Sequence, residues 1–196
     1  MDRGRLPLWL KIAFSAWIVV WAPTYAVVIG PQNFFWLCNM ASFLILIGLW
    51  MESRLVLSMQ WLSVALIGLL WGLDVASAWL TGSHLFGGTE YMFDPETPRI
   101  VRVLSFFHLL LPLVAGPAVW RLGYDRRALI WQSGLTWLMI ALSWWLTDAE
   151  RNINWVHAPF GLDQAPASEL IYLPALALGW VVLILLPVHL VTRRLA

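Results

Sequence analysis

Six stretches of mostly apolar residues, each about long enough to bridge a bilayer as a helix of some 20 residues, constrain this chain more than any other feature. They run near residues 8–29, 34–51, 55–80, 103–120, 128–147 and 170–192. Backbone groups in lipid must be satisfied within the segment, so each run is expected to be helical. No stretch alternates apolar and polar residues as a membrane β-barrel strand does. Composition removes the soluble alternative: 61% of the 196 residues are hydrophobic and 12% are charged. A soluble domain carries roughly a quarter charged residues, and a chain this short has too little interior to hide the apolar surplus. The expected fold is all-α: one polytopic membrane helical bundle over residues 1–196, with six transmembrane helices and both the N-terminus and C-terminus cytoplasmic.

Charge sets that orientation. With the N-terminus inside, the cytoplasmic pieces hold Arg3, Arg5, Lys11, Arg54, Arg121, Arg126, Arg127, Arg193 and Arg194. The opposite side holds Arg99, Arg102 and Arg151. Nine basic residues against three is the bias of the positive-inside rule. The two longer connections, residues 81–102 and 148–169, are acidic and fall outside. Turn signals punctuate them: Gly87-Gly88, Asp94-Pro95 and Thr97-Pro98 in the first, Pro159-Phe160-Gly161 in the second. Fifteen tryptophans suit two membrane interfaces. The first apolar run follows Asp2, Arg3 and Arg5 as in a leader, but exceeds the roughly 7–15 residues of a leader's apolar core, so it is expected to stay as a span. A net charge of +1 offers no field for nucleic acid. Membrane lipid is the expected partner, and short Arg-rich loops suit a bacterial inner membrane.

Polar side chains inside the runs are the functional candidates, because they are costly at membrane depth and usually face a wet cavity or the bundle interior. Cys38 and Asn39 lie five or six residues into the second run. Asp74 lies about six residues before the end of the third, and His108 about six into the fourth. A rise of about 1.5 Å per residue then sets all four roughly 8–10 Å below the outer face, in one layer. A pocket open to that face is expected. Pro112 cannot donate to the carbonyl of His108, so a kink is expected in the fourth helix. Gly68, Gly72 and Ala76, at i+4 spacing, read as a helix-packing face. Gln60, Gln132 and His189 lie towards the cytoplasmic side. The outer loops carry His84, Glu90, Asp94, Glu96, His157 and Asp163 without any recognised metal-ligand spacing, and a single cysteine excludes multi-cysteine zinc sites. No metal is expected, and no phosphate-binding or dinucleotide fingerprint calls for a cofactor.

Three short stretches resemble the YwaF-like bacterial integral membrane proteins, a group with a eukaryotic relative that acts as a phospholipid acyltransferase. They are Leu37-Cys38-Asn39-Met40-Ala41, Ser105-Phe106-Phe107-His108 and Asn152-Ile153-Asn154-Trp155-Val156. Their order and spacing agree over roughly residues 33–156. The chain departs from the family in carrying Asn39 where a carboxylate is usual and in lacking a clear counterpart of the final segment. The resemblance implies a thiolate at Cys38 attacking an acyl ester with His108 as general base. Asp74 would orient the imidazole, Asn39 or Asn154 would donate to an oxyanion, and Ser105 would join the substrate-binding wall.

Two other readings stand beside it. One is a small transporter in which Asp74 and His108 titrate as a pair. The other is a non-catalytic scaffold whose polar layer locks helix packing, with Cys38 and His108 facing different interfaces and no cavity between them.

Overall fold

The computed structural model describes residues 5–159, 162 and 167–195. Arg3, Phe160, Gly161 and Asp163 lie outside the described residues. Those described are all-helical, with no strand. The helices are α1 (Leu8–Val28), α2 (Leu37–Met51), α3 (Arg54–Thr81), α4 (Arg99–Leu104), α5 (Phe107–Leu122), α6 (Ala128–Leu146), α7 (Glu169–Gly179) and α8 (Leu186–Leu195). Among the described residues, five stretches are long and apolar enough to cross a membrane: α1, α3, Arg99–Leu122, α6 and Glu169–Leu195. The second apolar run differs from expectation. Its regular helix begins at Leu37 rather than near residue 34, because Pro31–Phe35 form a 3₁₀ turn. At 15 residues α2 is about 22 Å long.

Two further interruptions were not expected. The fourth run starts earlier, at Arg99, and breaks at Ser105–Phe106 instead of at Pro112, which sits inside the continuous helix α5. The sixth widens into a π-helical segment, Trp180–Leu185, between α7 and α8.

Polar contacts hold each end of the bundle together. At one end, Lys11 pairs with Glu52 at 2.5 Å, and that bond holds the Glu52 carboxyl below its ordinary range. Arg54 donates to the Tyr124 carbonyl at 2.6 Å, and the Tyr124 hydroxyl meets His189 Nδ1 at 2.7 Å. At the other end, Gln32 Nε2 donates to the Asp148 carboxylate at 3.0 Å, and Arg151 donates to the Ile29 carbonyl at 2.8 Å. The start of α1 and the end of α8 therefore share the basic end. Exposed tryptophans ring both ends, Trp9, Trp50 and Trp120 at the basic one, Trp79, Trp144 and Trp145 at the other. Such aromatic belts mark the two interfaces of a membrane protein.

The α3–α5 contact is the most extensive in the bundle. It depends on small residues, as the Gly68, Gly72 and Ala76 stripe suggests. A methyl added at Gly68 would stand 2.4 Å from the His108 carbonyl oxygen, and one at Gly72 would stand 2.8 Å from Leu109. Gly68→Val is expected to destabilise the protein by about 1–3 kcal/mol through forced separation of the two helices, measured as a lower unfolding midpoint in detergent. Gly134→Ala, where an added methyl meets nothing within 4 Å, leaves the midpoint unchanged or raised. Equal midpoints for the two variants would contradict this packing.

Candidate functional site

The site is organised around the amino end of α2. A helix leaves its first N–H groups unpaired, and at membrane depth lipid cannot take them. Asn154 takes one: its Oδ1 accepts from Leu37 N–H at 3.0 Å. Its Nδ2 donates to the Phe35 carbonyl and to the Ser143 hydroxyl, each at 2.8 Å. Asn154 does this from a left-handed backbone conformation (φ 54°), preceded by Asn152 at φ 42°. Asparagine tolerates that region better than most residues. The Asn152 Oδ1 accepts from the N–H groups of His157 and Ala158, closing the connection into a compact knot. Asn39 Nδ2 reaches back to the Asn33 carbonyl at 2.7 Å. Cys38 and Asn39 are the second and third residues of α2, so their N–H groups have no acceptor one turn earlier in the helix, and the Cys38 sulphur lies 3.8 Å from Asn39 Oδ1. An anion at Sγ would thus sit at the positive end of a helix.

His108 is positioned by the break after α4. Leu109 N–H bonds the Phe106 carbonyl, so the Ser105 carbonyl has no helical donor four residues on. It accepts from His108 N–H at 3.1 Å and from His108 Nδ1 at 2.8 Å. That assigns the imidazole proton to Nδ1 and leaves the lone pair on Nε2, which has no hydrogen-bond partner among the described residues. The ring stacks on Trp71, with centroids 5.0 Å apart and planes at 10°.

Register places the thiol and the imidazole at one height. Gly48 of α2 packs on Leu57 of α3 across a two-residue turn. Carried ten residues along each antiparallel helix, that register sets Cys38 level with Ile67, and both line the same cavity. The His108 carbonyl faces Gly68, the next residue. Cys38, Asn39, Ser105 and His108 all line one cavity of about 730 Å³. No hydrogen bond joins Cys38 to His108; both border the cavity.

Asp74 is a correction. It sits six residues beyond Gly68, about 9 Å further along α3, and does not line the cavity. Its carboxylate is buried and fully engaged by the connection after α3. It accepts from Phe86 N–H at 2.6 Å and Gly87 N–H at 3.0 Å, meets His84 Nδ1 at 2.8 Å, and takes the Thr89 hydroxyl. Asp74 therefore ties down the cavity's roof, and the Ser105 carbonyl orients the imidazole in its place. Asn154 is a second correction. It borders the cavity, but both ends of its amide already hold backbone and Ser143, so it positions α2 and has no donor to spare for an oxyanion.

Sequence reasoning missed the aromatic part of the site. The Tyr25 hydroxyl meets Ser105 Oγ at 2.8 Å, and Ser105 Oγ donates to the Val101 carbonyl at 2.8 Å. Trp71 Nε1 donates to the Tyr91 hydroxyl at 3.2 Å, and burial pushes the Tyr91 phenol above its ordinary value. A phenol near the end of the first apolar run was a readable sign for Tyr25. Among fifteen tryptophans, nothing singled out Trp71. Gln60 and Gln132 satisfy each other at 3.2 Å in the interior. No group of three His, Cys, Asp or Glu that could hold a metal ion occurs among the described residues.

Comparison with protein-family models, curated proteins and solved structures finds no match to this chain. Its geometry carries the functional argument.

Asp74→Ala removes the acceptor of every one of those roof contacts. It is expected to lower stability by on the order of 3 kcal/mol, since hydrogen bonds to charged groups contribute about 1.5–3 kcal/mol each and not additively. It also exposes residues 82–98 to limited proteolysis. Unchanged cleavage there would contradict the roof assignment.

Proposed function

We propose that this protein is a six-span membrane acyl transferase or hydrolase acting on the acyl ester of a membrane lipid, with Cys38 as nucleophile and His108 as general base. The supporting observation is that a thiol at a helix amino end and an imidazole with a free Nε2 face the same cavity at the same height. In the reaction, the Cys38 proton passes to His108 Nε2 as sulphur attacks the ester carbonyl carbon. The N–H groups of Cys38 and Asn39 lie nearest the developing oxyanion. Collapse breaks the carbonyl carbon–oxygen bond, and the imidazolium returns the proton to the departing alkoxide. The thioester at Cys38 then passes its acyl group to a hydroxyl or to water, again with His108 as base. The Cys38–His108 spacing shortens as substrate enters, as is common for catalytic hydrogen bonds that are long without ligand.

The topology we infer has α2 as the sixth span and both ends of the helical bundle cytoplasmic. Two features support it. The Lys11–Glu52 pair brings the start of α1 to the turn after α2, so an even number of passes joins α1 to α8. The basic loops gather at that end, as the positive-inside rule requires. A bacterial inner membrane suits that charge pattern. With Arg54 at the inner interface, Gly68 lies about 21 Å up α3 in a hydrocarbon layer about 30 Å thick. The thiol and imidazole then reach within about 9 Å of the outer interface, near the ester region of a lipid. The resemblance of the Cys38, His108 and Asn154 segments to YwaF-like proteins points the same way.

The transporter reading drew on an Asp74–His108 pair, and Asp74 is bonded to the roof. The scaffold reading required the thiol and imidazole to face separate interfaces, and they share a cavity.

With wild-type protein in phospholipid vesicles that also contain lysophosphatidylcholine, acyl exchange or release is expected, and a thioester probe labels Cys38. Cys38→Ala and His108→Ala each lower turnover by at least about 100-fold, the scale of losing a base or nucleophile. Turnover at the wild-type rate in Cys38→Ala would overturn the catalytic reading.

A further inference from the structure

We infer that the cavity takes a single-chain acyl lipid, and that Ser63 forms the floor that limits how long a chain it accepts. The choice of ligand rests on the acyl-lipid reading above; the measure of length rests on the shape of the cavity. Its wall on α3 is a stripe of Ser63, Ile67, Leu70 and Trp71, positions spaced to share one helix face. From Trp71 to Ser63 is eight residues, about 12 Å. Half of a hydrocarbon layer is about 15 Å, so the stripe covers most of one leaflet.

No residue of α3 below Ser63 lines the cavity. Leu62 is fully buried there, and one turn further down Gln60 and Gln132 are sealed against each other at 3.2 Å. Ser63 itself is buried, and its hydroxyl has no hydrogen-bond partner among the described residues. A small side chain at that place leaves room that a larger one would fill. The cavity is closed above by residues 86–89, held to Asp74. The exposed lining residues Val28, Phe86 and Pro98 mark an apolar rim at the outer-interface level. A ligand therefore enters sideways from the outer leaflet. Its polar head stays among Tyr25, Tyr91 and Ser105, and its tail points to Ser63. The cavity volume of about 730 Å³ lies within the roughly 300–1,000 Å³ of sites that hold one small ligand. A volume of that size suits one long chain better than two.

The test uses the full chain carrying Cys38→Ala, so that binding is read without turnover. Native mass spectrometry in detergent measures binding of lysophosphatidylcholines of increasing chain length, and of diacyl phosphatidylcholine. One monoacyl lipid per chain is expected, with affinity rising to a limiting length and then levelling. Adding Ser63→Phe moves that limit to shorter chains, each excluded methylene costing about four-fold in affinity. Ser63→Leu gives a smaller shift in the same direction and serves if the phenylalanine variant does not fold. Diacyl lipid binding as tightly as monoacyl lipid, or a limit unmoved in both variants, would overturn the inference. A length limit that moves in protein whose wild-type form turns over no ester supports the cavity assignment and removes the chemistry. Cys38-dependent turnover with an unmoved limit keeps the chemistry and removes the floor.

Discussion

A helix that starts or breaks at membrane depth leaves backbone groups that lipid cannot satisfy, and this chain does so twice beside the same cavity. At the start of α2, Asn154 and Asn39 tie down the irregular backbone, and Cys38 stands in the first turn of the helix. At the Ser105–Phe106 break, the released Ser105 carbonyl takes the imidazole proton of His108. Irregular backbone in a membrane is tolerated where protein or a wet cavity surrounds it. Here each interruption positions one of the polar side chains that line the cavity.

Close helix packing then fixes where those groups meet. Gly68 lets the His108 carbonyl approach α3, and Gly48 does the same for Leu57 on the other side. Both neighbours are thereby registered against one helix, which brings Cys38 and His108 to a common height. Trp71 completes that wall by stacking on the imidazole and bonding Tyr91. The roof is a separate construction, built on Asp74 nearer the end of the bundle away from the basic loops. Solvent and headgroups there make a carboxylate less costly than at the level of the thiol.

Much of this was readable from the residues, for definite reasons. Long apolar runs and an uneven distribution of arginine are direct consequences of hydrocarbon thickness and membrane charge, so five spanning stretches and the basic end were legible. Cys38 and His108 stood out because polar groups are rare at that depth, and both line the cavity. Asp74 misled because counting residues inward from each run's end assumes that all spans end at one plane. α3 is 28 residues long and α2 is 15, so equal counts mean unequal heights. Asn154 resembled a donor in a motif, but its amide is consumed by Phe35, Leu37 and Ser143, which only the folded chain brings near. The break at Ser105 carried no proline or glycine, and Pro112 drew attention to the wrong turn.

The central claim is that Cys38 and His108 face each other across one cavity while Asp74 does not. The protein has one cysteine, so His108→Cys makes a chain with two, and Asp74→Cys makes its control. Treatment with a short bifunctional thiol reagent, followed by intact-mass measurement, reports which pair can be bridged. The account predicts an internal cross-link in His108→Cys and only separate single modifications in Asp74→Cys. A cross-link in Asp74→Cys, with none in a folded His108→Cys whose two thiols both react, would contradict it.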